Sequence, residues 1–328
     1  MNRIILSIVC CCVFRIGFCN DVDYNLINQS LPETIINKIT LNQACGLNIE
    51  LKNTYSSQLK LYSNPNSQSS IIYQSFYHYQ PAINTQGYKF SGEVSALFVD
   101  KKGRVREDSN ADLMLTNEDH VIDYIDVDGE SYFQYLKSID EKIDTSYYEL
   151  NKIKPIWKAT SWLNSNKMDT VTQRVYEEHD RKRYLFTYLE SNQIDFVDGS
   201  ELKNYEEKFN FKHDDLSVAD LINYIRGSEF DLARNRTQRV LEEESVSRLG
   251  DIVNSSLTLV AQPNAIDILE QDNSYQALID QYKSRRNMVY VGANDGILHA
   301  FNAGFSHGAL SKIEIEKDKK TPYEIGSE

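Results

Sequence analysis

The residues best suited to chemistry in this 328-residue sequence form one run, Asp108-Ser109-Asn110-Ala111-Asp112-Leu113-Met114-Leu115-Thr116-Asn117-Glu118-Asp119. Counted as a twelve-residue loop, it places side-chain oxygens at positions 1, 3, 5, 9 and 12, on Asp108, Asn110, Asp112, Thr116 and Asp119. Met114, at position 7, would add its backbone carbonyl, and Leu115 stands where such loops carry an aliphatic residue. Hard divalent cations take all-oxygen shells of carboxylates, amides and carbonyls, so the pattern points to Ca²⁺. Two departures weigh against it: Leu113 replaces the glycine of the sharp turn, and Asp119 is shorter than a bidentate Glu. An ordinary polar loop is the competing reading. Asp126-Val127-Asp128-Gly129-Glu130 reads as a shorter acidic turn only.

The loop has to be held by strands. Phe90, Val94, Ala96 and Phe98 fall on one face of an extended run. Asp100-Lys101-Lys102-Gly103 then turns the chain into Arg104-Val105-Arg106, with glycine where a positive φ is needed. Val121-Ile122-Asp123-Tyr124 reads as the strand on the far side. Before these, residues 20 to about 85 are rich in Asn, Ser and Gln and read as short strands in polar loops, with Asn64-Pro65-Asn66-Ser67 turning between residues 59–62 and 71–73. A second hairpin is expected around residues 179–182, between 171–176 and 184–189.

Helices are fewer. Phe133, Leu136, Ile139 and Ile143 recur at helical spacing and predict one over residues 131–150. Pro155 suits the first turn of another that carries Trp157 and Leu163. Ser217 caps a third, with Val218, Leu221, Ile222 and Ile225 as its apolar face and Gly227 as its end. Arg226-Gly227-Ser228 is then a helix terminus, and it is not the Arg-Gly-Asp adhesion tripeptide. Residues 234–248, with Arg234, Arg236, Arg239 and Glu242-Glu243-Glu244, read as a charged connector.

Composition excludes some functions. Lys and Arg number 35 against 48 Asp and Glu, giving a formal charge of −13, which argues against a nucleic-acid groove or an anionic-membrane surface. Twenty-one Tyr, against 14 Gly and 6 Pro, lean toward strands and adhesive or interfacial surfaces. Residues 1–19 have a basic start, an apolar core and small residues near Cys19, as a secretory signal does, although Arg15 late in the apolar run leaves an uncleaved anchor as the alternative. Phe18 is too bulky for lipidation of Cys19. Cleavage would remove Cys10, Cys11, Cys12 and Cys19 and leave Cys45 without an internal disulfide partner.

Arg248-Leu249-Gly250-Asp251-Ile252-Val253-Asn254-Ser255-Ser256, a helical spacer to Arg286, and Met288-Val289-Tyr290-Val291-Gly292-Ala293-Asn294-Asp295-Gly296-Ile297-Leu298-His299-Ala300-Phe301 resemble the opening of the β-propeller in PilY1/PilC-type pilus biogenesis factors. Tyr224-Ile225-Arg226-Gly227 with Arg234-Asn235-Arg236 is similar to the lead-in to that propeller. Residues 91–98 and 105–110 are similar to the region before it. The resemblance covers about residues 88–308. An Asp-x-Asn-x-Asp-type stretch also occurs in related factors after the Arg-Glu-Asp segment. The residues support a blade on their own account, because 288–291 and 297–301 are apolar β-formers around an Asn-Asp-Gly turn. Asp295 is expected to serve that turn, and His299 to pack in or beside a strand.

The fold expected is therefore a mixed, β-rich α+β N-terminal domain (residues 20–233), the connector (234–248), and the first strands of an incomplete β-propeller with a quinoprotein-like blade (249–328). A propeller closes with at least four blades of roughly 40–45 residues each. The stretch after Asp251 holds at most one or two, so the chain reads as a member truncated near the start of its propeller, its C-terminal part unstable alone or completed by another chain.

The resemblance implies a non-enzymatic protein, exported through the inner membrane to the fimbrium, cell surface or outer membrane. Such proteins support type IV pilus assembly, oppose retraction and present an adhesive module. Major or minor pilins, the assembly machinery and a host surface are the implied partners. No Asp-x-Ser-x-Ser adhesion signature is present. The alternatives are a quinoprotein-like periplasmic enzyme, weakened by the missing blades and the lack of vicinal cysteines in the exported part, or a split gene product without independent function.

Overall fold

A computed structural model describes residues 56–63, 70–80, 89–100, 102–128, 130–136, 146–175, 181–199, 201–202, 204, 217–230, 236–240, 243–253, 255–261, 263, 273–282, 285–304 and 326–328. The expected signal (1–19), Cys45, the turn at 64–67 and the charged tail at 312–320 lie outside them. The chain divides into two units: one of residues 1–76, 95–156 and 306–313, the other of 77–94, 157–305 and 314–328. The described residues are β-rich with few helices.

The first unit is built on an antiparallel meander. Strands β1 (Ser56–Ser63), β2 (Ser70–Gln80), β3 (Lys89–Val99), β4 (Val105–Arg106), β5 (Val121–Val127), β6 (Glu130–Leu136) and β7 (Tyr148–Glu149) lie in sequence order across one sheet. The two early strands and the β3–β4 hairpin form as expected, with Phe98 opposite Arg106 and Val99 opposite Val105. Gly103, at φ 73, makes the turn between them. Asp100 braces it by accepting from the Lys102 and Arg104 amides and pairing with the Arg104 guanidinium at 2.7 Å. Ile72, Leu97, Val99, Val105, Ile122, Phe133, Leu150 and Ile153 make the core. Tyr124, Tyr135 and Tyr148 pack against it. Fully burying one such aliphatic or aromatic side chain contributes about 2 kcal/mol.

The helix expected over 131–150 is replaced in its first part by β6, which pairs with β5 from Val127 opposite Glu130 to Val121 opposite Leu136. Asp128, at φ 55, opens the two-residue connection, so the acidic turn at 126–130 is a hairpin turn. Phe133 and Leu136 satisfied a helical spacing, but Tyr132, Phe133 and Tyr135 are strand formers, and a turn beside them decided the pairing. The expected continuation over 137–145 lies outside the described residues.

In the second unit, β8 (Trp157–Lys158) runs into helix α1 (Ala159–Leu163). Trp157 is therefore on a strand, not in the helix expected to carry it. Helix α2 (Val218–Arg226) forms as predicted, with Ser217 and Asp220 in a reciprocal capping box and Gly227 at φ 120 beyond its end. Ile222 packs with Ile194 and Leu202.

The hairpin expected around 179–182 does not form as such. Strand β9 (Asp169–Gln173) meets β10 (Lys182–Arg183) in parallel, with a register shift between Lys182 and Arg183. Three carbonyls here, of Thr170, Thr172 and Arg183, turn to the Arg226 guanidinium, which diverts them from a regular ladder. The hairpin of this region lies further on, between β11 (Phe186–Leu189) and β12 (Asn192–Asp195), around Glu190 and Ser191 at φ 48 and 71. Both residues are left-handed, as a twist-matched two-residue turn requires.

The charged run 234–248 carries an antiparallel pair, β13 (Thr237–Val240) with β14 (Glu243–Val246). Helix α3 (Asn273–Tyr282) fills the expected spacer. It precedes a three-stranded antiparallel sheet of β15 (Thr258–Val260), β16 (Met288–Gly292) and β17 (Leu298–Asn302). The β16–β17 hairpin is the expected one. No helix among the described residues is long and apolar enough to cross a membrane.

Candidate functional site

The 108–119 loop is pinned at its mouth by backbone pairing. Arg106 of β4 stands opposite Val121 of β5, and the Glu107 amide donates to the His120 carbonyl at 3.1 Å. Inside the loop, carboxylates face backbone amides. Asp108, 2% exposed, accepts from the amides of Asp112 and Leu113 at 3.1 and 3.0 Å. Asp119, also 2% exposed, accepts from those of Ser109 and Thr116 at 3.0 and 2.7 Å. Asp112 accepts from the Met114 amide at 2.8 Å and from the Asn110 side chain at 3.1 Å. The Arg106 guanidinium donates to the Asp119 carbonyl.

Leu113 has φ 60, the left-handed conformation that the cation-loop pattern reserves for glycine, and Ala111 has φ 57. The sharp turn is thus made without the glycine, at a cost of about 1 kcal/mol for a residue with a Cβ. Burial pushes the Asp108 carboxyl up, and the charges of Asp119 and Asp112 push the same way, against the two amide hydrogen bonds. All the donors expected here are oxygens, the ligand type that a hard divalent cation takes. As placed, no three acidic, His or Cys side chains among the described residues converge on one point. The loop brings Asp108, Asn110, Asp112, Met114, Thr116 and Asp119 together by sequence, with their side chains directed to amides.

A neighbouring arrangement was not singled out from the sequence. Glu107, fully buried, holds the His120 ring nitrogen Nδ1 at 2.9 Å, and the Ser109 hydroxyl lies 3.1 Å from the same nitrogen. A nucleophile relay needs its carboxylate and its hydroxyl on opposite ring nitrogens. Here both address one, so the trio stiffens the loop mouth. The second Glu107 oxygen accepts from the Lys154 amide at 3.1 Å and from the Tyr135 hydroxyl at 3.4 Å. Burial, reinforced by the Glu107 charge, pushes the Tyr135 phenol up to about 12.

The second unit holds a different centre. Arg226, fully buried at the end of α2, donates through Nε to the Thr170 carbonyl at 2.7 Å. Its Nη1 donates to the Phe196 carbonyl at 2.7 Å and to the Gln173 side chain at 3.1 Å. Its Nη2 donates to the carbonyls of Thr172 and Arg183 at 3.0 and 2.9 Å. Burial, then the charge of Arg183, lowers this guanidinium to about 10. Arg248 works alike, donating to the carbonyls of Gly227 and Leu163 at 3.1 and 2.7 Å. Arg236 donates to the Tyr224 carbonyl at 2.7 Å and lies 3.7 Å above its ring. Arg226, at the helix terminus read from the sequence, and Arg236 and Arg248 after it are therefore fasteners tied to backbone carbonyls. Their Arg type was visible in the sequence, but nothing there signalled the burial of Arg226 or the carbonyls that the three reach.

The Asn294-Asp295-Gly296 turn docks on residues 250–251. Asp295 accepts from the Gly250 amide at 2.9 Å and the Ile297 amide at 3.0 Å, and Asn294 Nδ2 donates to Asp251 at 2.6 Å. A Cβ on Gly250 would come within 2.7 Å of the Asp295 nitrogen, and one on Gly92 would collide with the Gly250 carbonyl. His299, fully buried on β17, lies between Asp295 at 3.0 Å and Glu328 at 2.7 Å. Burial would lower its pKa, but Glu328 and Asp295 raise it to about 9. Asp295 serves the turn and His299 packs in the strand, as the sequence suggested.

No family model matches the chain, and no solved structure matches it. About a third of it is similar to curated relatives. The type IV pilus biogenesis factor PilY1 of Pseudomonas aeruginosa strain PAK is 32% identical over 122 residues, which is 33% of this chain and 10% of that protein. The PilY1 homolog of Xylella fastidiosa strain Temecula1 is 33% identical over 126 residues, 36% of this chain and 10% of that protein. The chain spans about a tenth of the length of the curated relatives it matches. It is thus PilY1-like over a third of its length.

Proposed function

We propose that the chain acts in type IV pilus biogenesis as an exported, non-enzymatic factor that supports pilus assembly and surface attachment. The observation carrying this reading is the 32% identity over 122 residues to a type IV pilus biogenesis factor. Pilins and the assembly machinery are the partners, and the fimbrium or cell surface is the place of action. Exposed aromatic side chains at Tyr147 and Tyr188 suit an attachment surface.

The regulatory part of the proposal lies in the 108–119 loop. Asp108, Asn110, Asp112, Thr116 and Asp119, with the Met114 carbonyl, would hold Ca²⁺, which would supply positive charge and fix the loop. The left-handed Leu113 and the upward-shifted Asp108 support it. A deletion strain should lose piliation, twitching and adherence, and the intact gene should restore all three. Wild-type behaviour of the deletion on all three refutes the pilus reading. Calorimetric titration of the protein with Ca²⁺ tests the loop separately, since absence of heat removes the metal and leaves the pilus reading standing.

A further inference from the structure

Gly326-Ser327-Glu328 lies along the outer strand of the three-stranded sheet. The Gly326 amide donates to the Asn302 carbonyl at 2.8 Å, and the Asn302 amide donates to the Ser327 carbonyl at 2.9 Å. Gly326 has φ 77, and a Cβ there would stand 3.2 Å from the Lys158 carbonyl and 3.3 Å from the Trp157 ring, so the fit favours glycine on two counts. Ser327 is 3% exposed.

These contacts deliver the Glu328 carboxylate between two fully buried cations. One oxygen lies 2.9 Å from Arg183 Nε and 2.7 Å from Nη2, and the other lies 2.7 Å from His299 Nδ1. Each cation is also held by groups independent of Glu328. Arg183 donates through Nη1 to the Arg226 carbonyl at 2.7 Å. His299 is anchored at Nε2 by Asp295, and its ring stacks on Phe301 with centroids 5.7 Å apart. Both therefore aim their remaining donors at one point, as a preorganised carboxylate receptor does.

We propose that Arg183 and His299 form a carboxylate-receiving pocket and that Gly326-Ser327-Glu328 is its built-in ligand, a strap docked by backbone pairing to Asn302 and locked by Glu328. The titratable groups facing the pocket are Asp295 behind His299, Glu328 itself, and Arg183, whose charge also acts on Arg226 and Arg248. Removing the carboxylate takes its ion pair from Arg183 and its Nδ1 partner from His299, and a small free carboxylate has the chemistry to refill the place.

The test is chemical rescue in the full chain. Glu328→Ala should melt well below the unaltered protein, and acetate or formate should raise its midpoint by at least about 2 °C over chloride at equal ionic strength. The unaltered protein should not distinguish these salts. Equal midpoints for Glu328→Ala in acetate and chloride, or a midpoint for the variant equal to that of the unaltered chain, would overturn the proposal. Should the variant fail to fold, the unaltered chain decides through its ¹⁵N spectrum. Two protonated ring nitrogens on His299 at about pH 8, where a free imidazole is neutral, support the pocket, and a neutral ring refutes it.

Discussion

The 108–119 loop gathers carboxylates and answers them with backbone N–H groups, whereas the cluster around Arg226 gathers cations and answers them with backbone C=O groups. In both regions the main chain supplies much of the counter-charge. The difference lies in what is left over. Arg226 spends all five of its N–H bonds inside the protein. In the loop, Asn110 and Asp112 remain exposed, with Met114 at 40% exposure, so its oxygens can still be reached from solvent. A saturated buried charge holds strands together, while the loop keeps Asn110 and Asp112 at the surface, as the proposed Ca²⁺ site requires.

The sharpest way to break this contrast is Arg226→Ala. It strands four carbonyls and an amide oxygen in the interior, and the expected loss is about 4 kcal/mol or outright failure to fold, read by urea denaturation. Arg226→Lys offers three N–H groups for five and should fall between. A Lys variant as stable as the original would show that the guanidinium fork is not the fastener.

Next in size is the pH dependence. His299 is raised to about 9, so its contribution is full below about 6.5 and is lost as pH rises through about 9, on the order of 3 kcal/mol. Glu328, which burial would raise, is held at about 2 by Arg183 and His299, so its contribution is present above about 4.5 and fades as pH falls toward 2. Asp295, which burial would raise, is lowered by His299 and by the Gly250 and Ile297 amides and fades in the same direction. Melting midpoints should therefore peak between about pH 4.5 and 6.5 and decline on the alkaline side. His299→Gln should flatten that alkaline limb, and an unchanged limb would remove His299 as its cause.

Smaller effects are expected in the loop. Leu113→Gly should stabilise the protein by about 1 kcal/mol in chelator, since it relieves the left-handed strain, and it should tighten Ca²⁺ binding. A loss of stability would mean that Leu113 packing outweighs its backbone cost. Asp112→Ala should change stability in chelator by no more than about 0.5 kcal/mol yet abolish the Ca²⁺ heat. If it destabilises the metal-free protein strongly, the loop resembles the Arg226 cluster and the contrast fails.

Local signals were legible where the deciding physics was local. Gly103 announced its turn, Ser217 and Asp220 announced their helix, and Asn294-Asp295-Gly296 announced the β16–β17 hairpin. The 131–150 helix failed because Phe133 and Leu136 fit two periods and the Asp128 turn chose between them. The β9–β10 pairing could not be read, since Arg226, more than forty residues later, takes the carbonyls that a hairpin would use. Within the loop, the oxygen pattern was readable, but the left-handed Leu113 was not, because it depends on which amides the Asp108 carboxylate accepts from. Glu107 and Glu328 were missed for a similar reason, their roles being defined by partners distant in sequence.

The close approach of Gly92 and Gly250 bears on folding order. The Gly92 amide donates to the Leu249 carbonyl at 3.1 Å, and Gly250 admits the Asp295 turn on its other side. Closing so long a stretch of chain costs entropy before any contact rewards it, and topologies dominated by such closures fold slowly. For a chain that emerges N-terminus first, β3 must wait for residue 250 and then for residue 295 before this junction can set. Through that interval the strand edges stand open to wrong pairing, which makes assistance during folding most valuable early, before the two glycines meet.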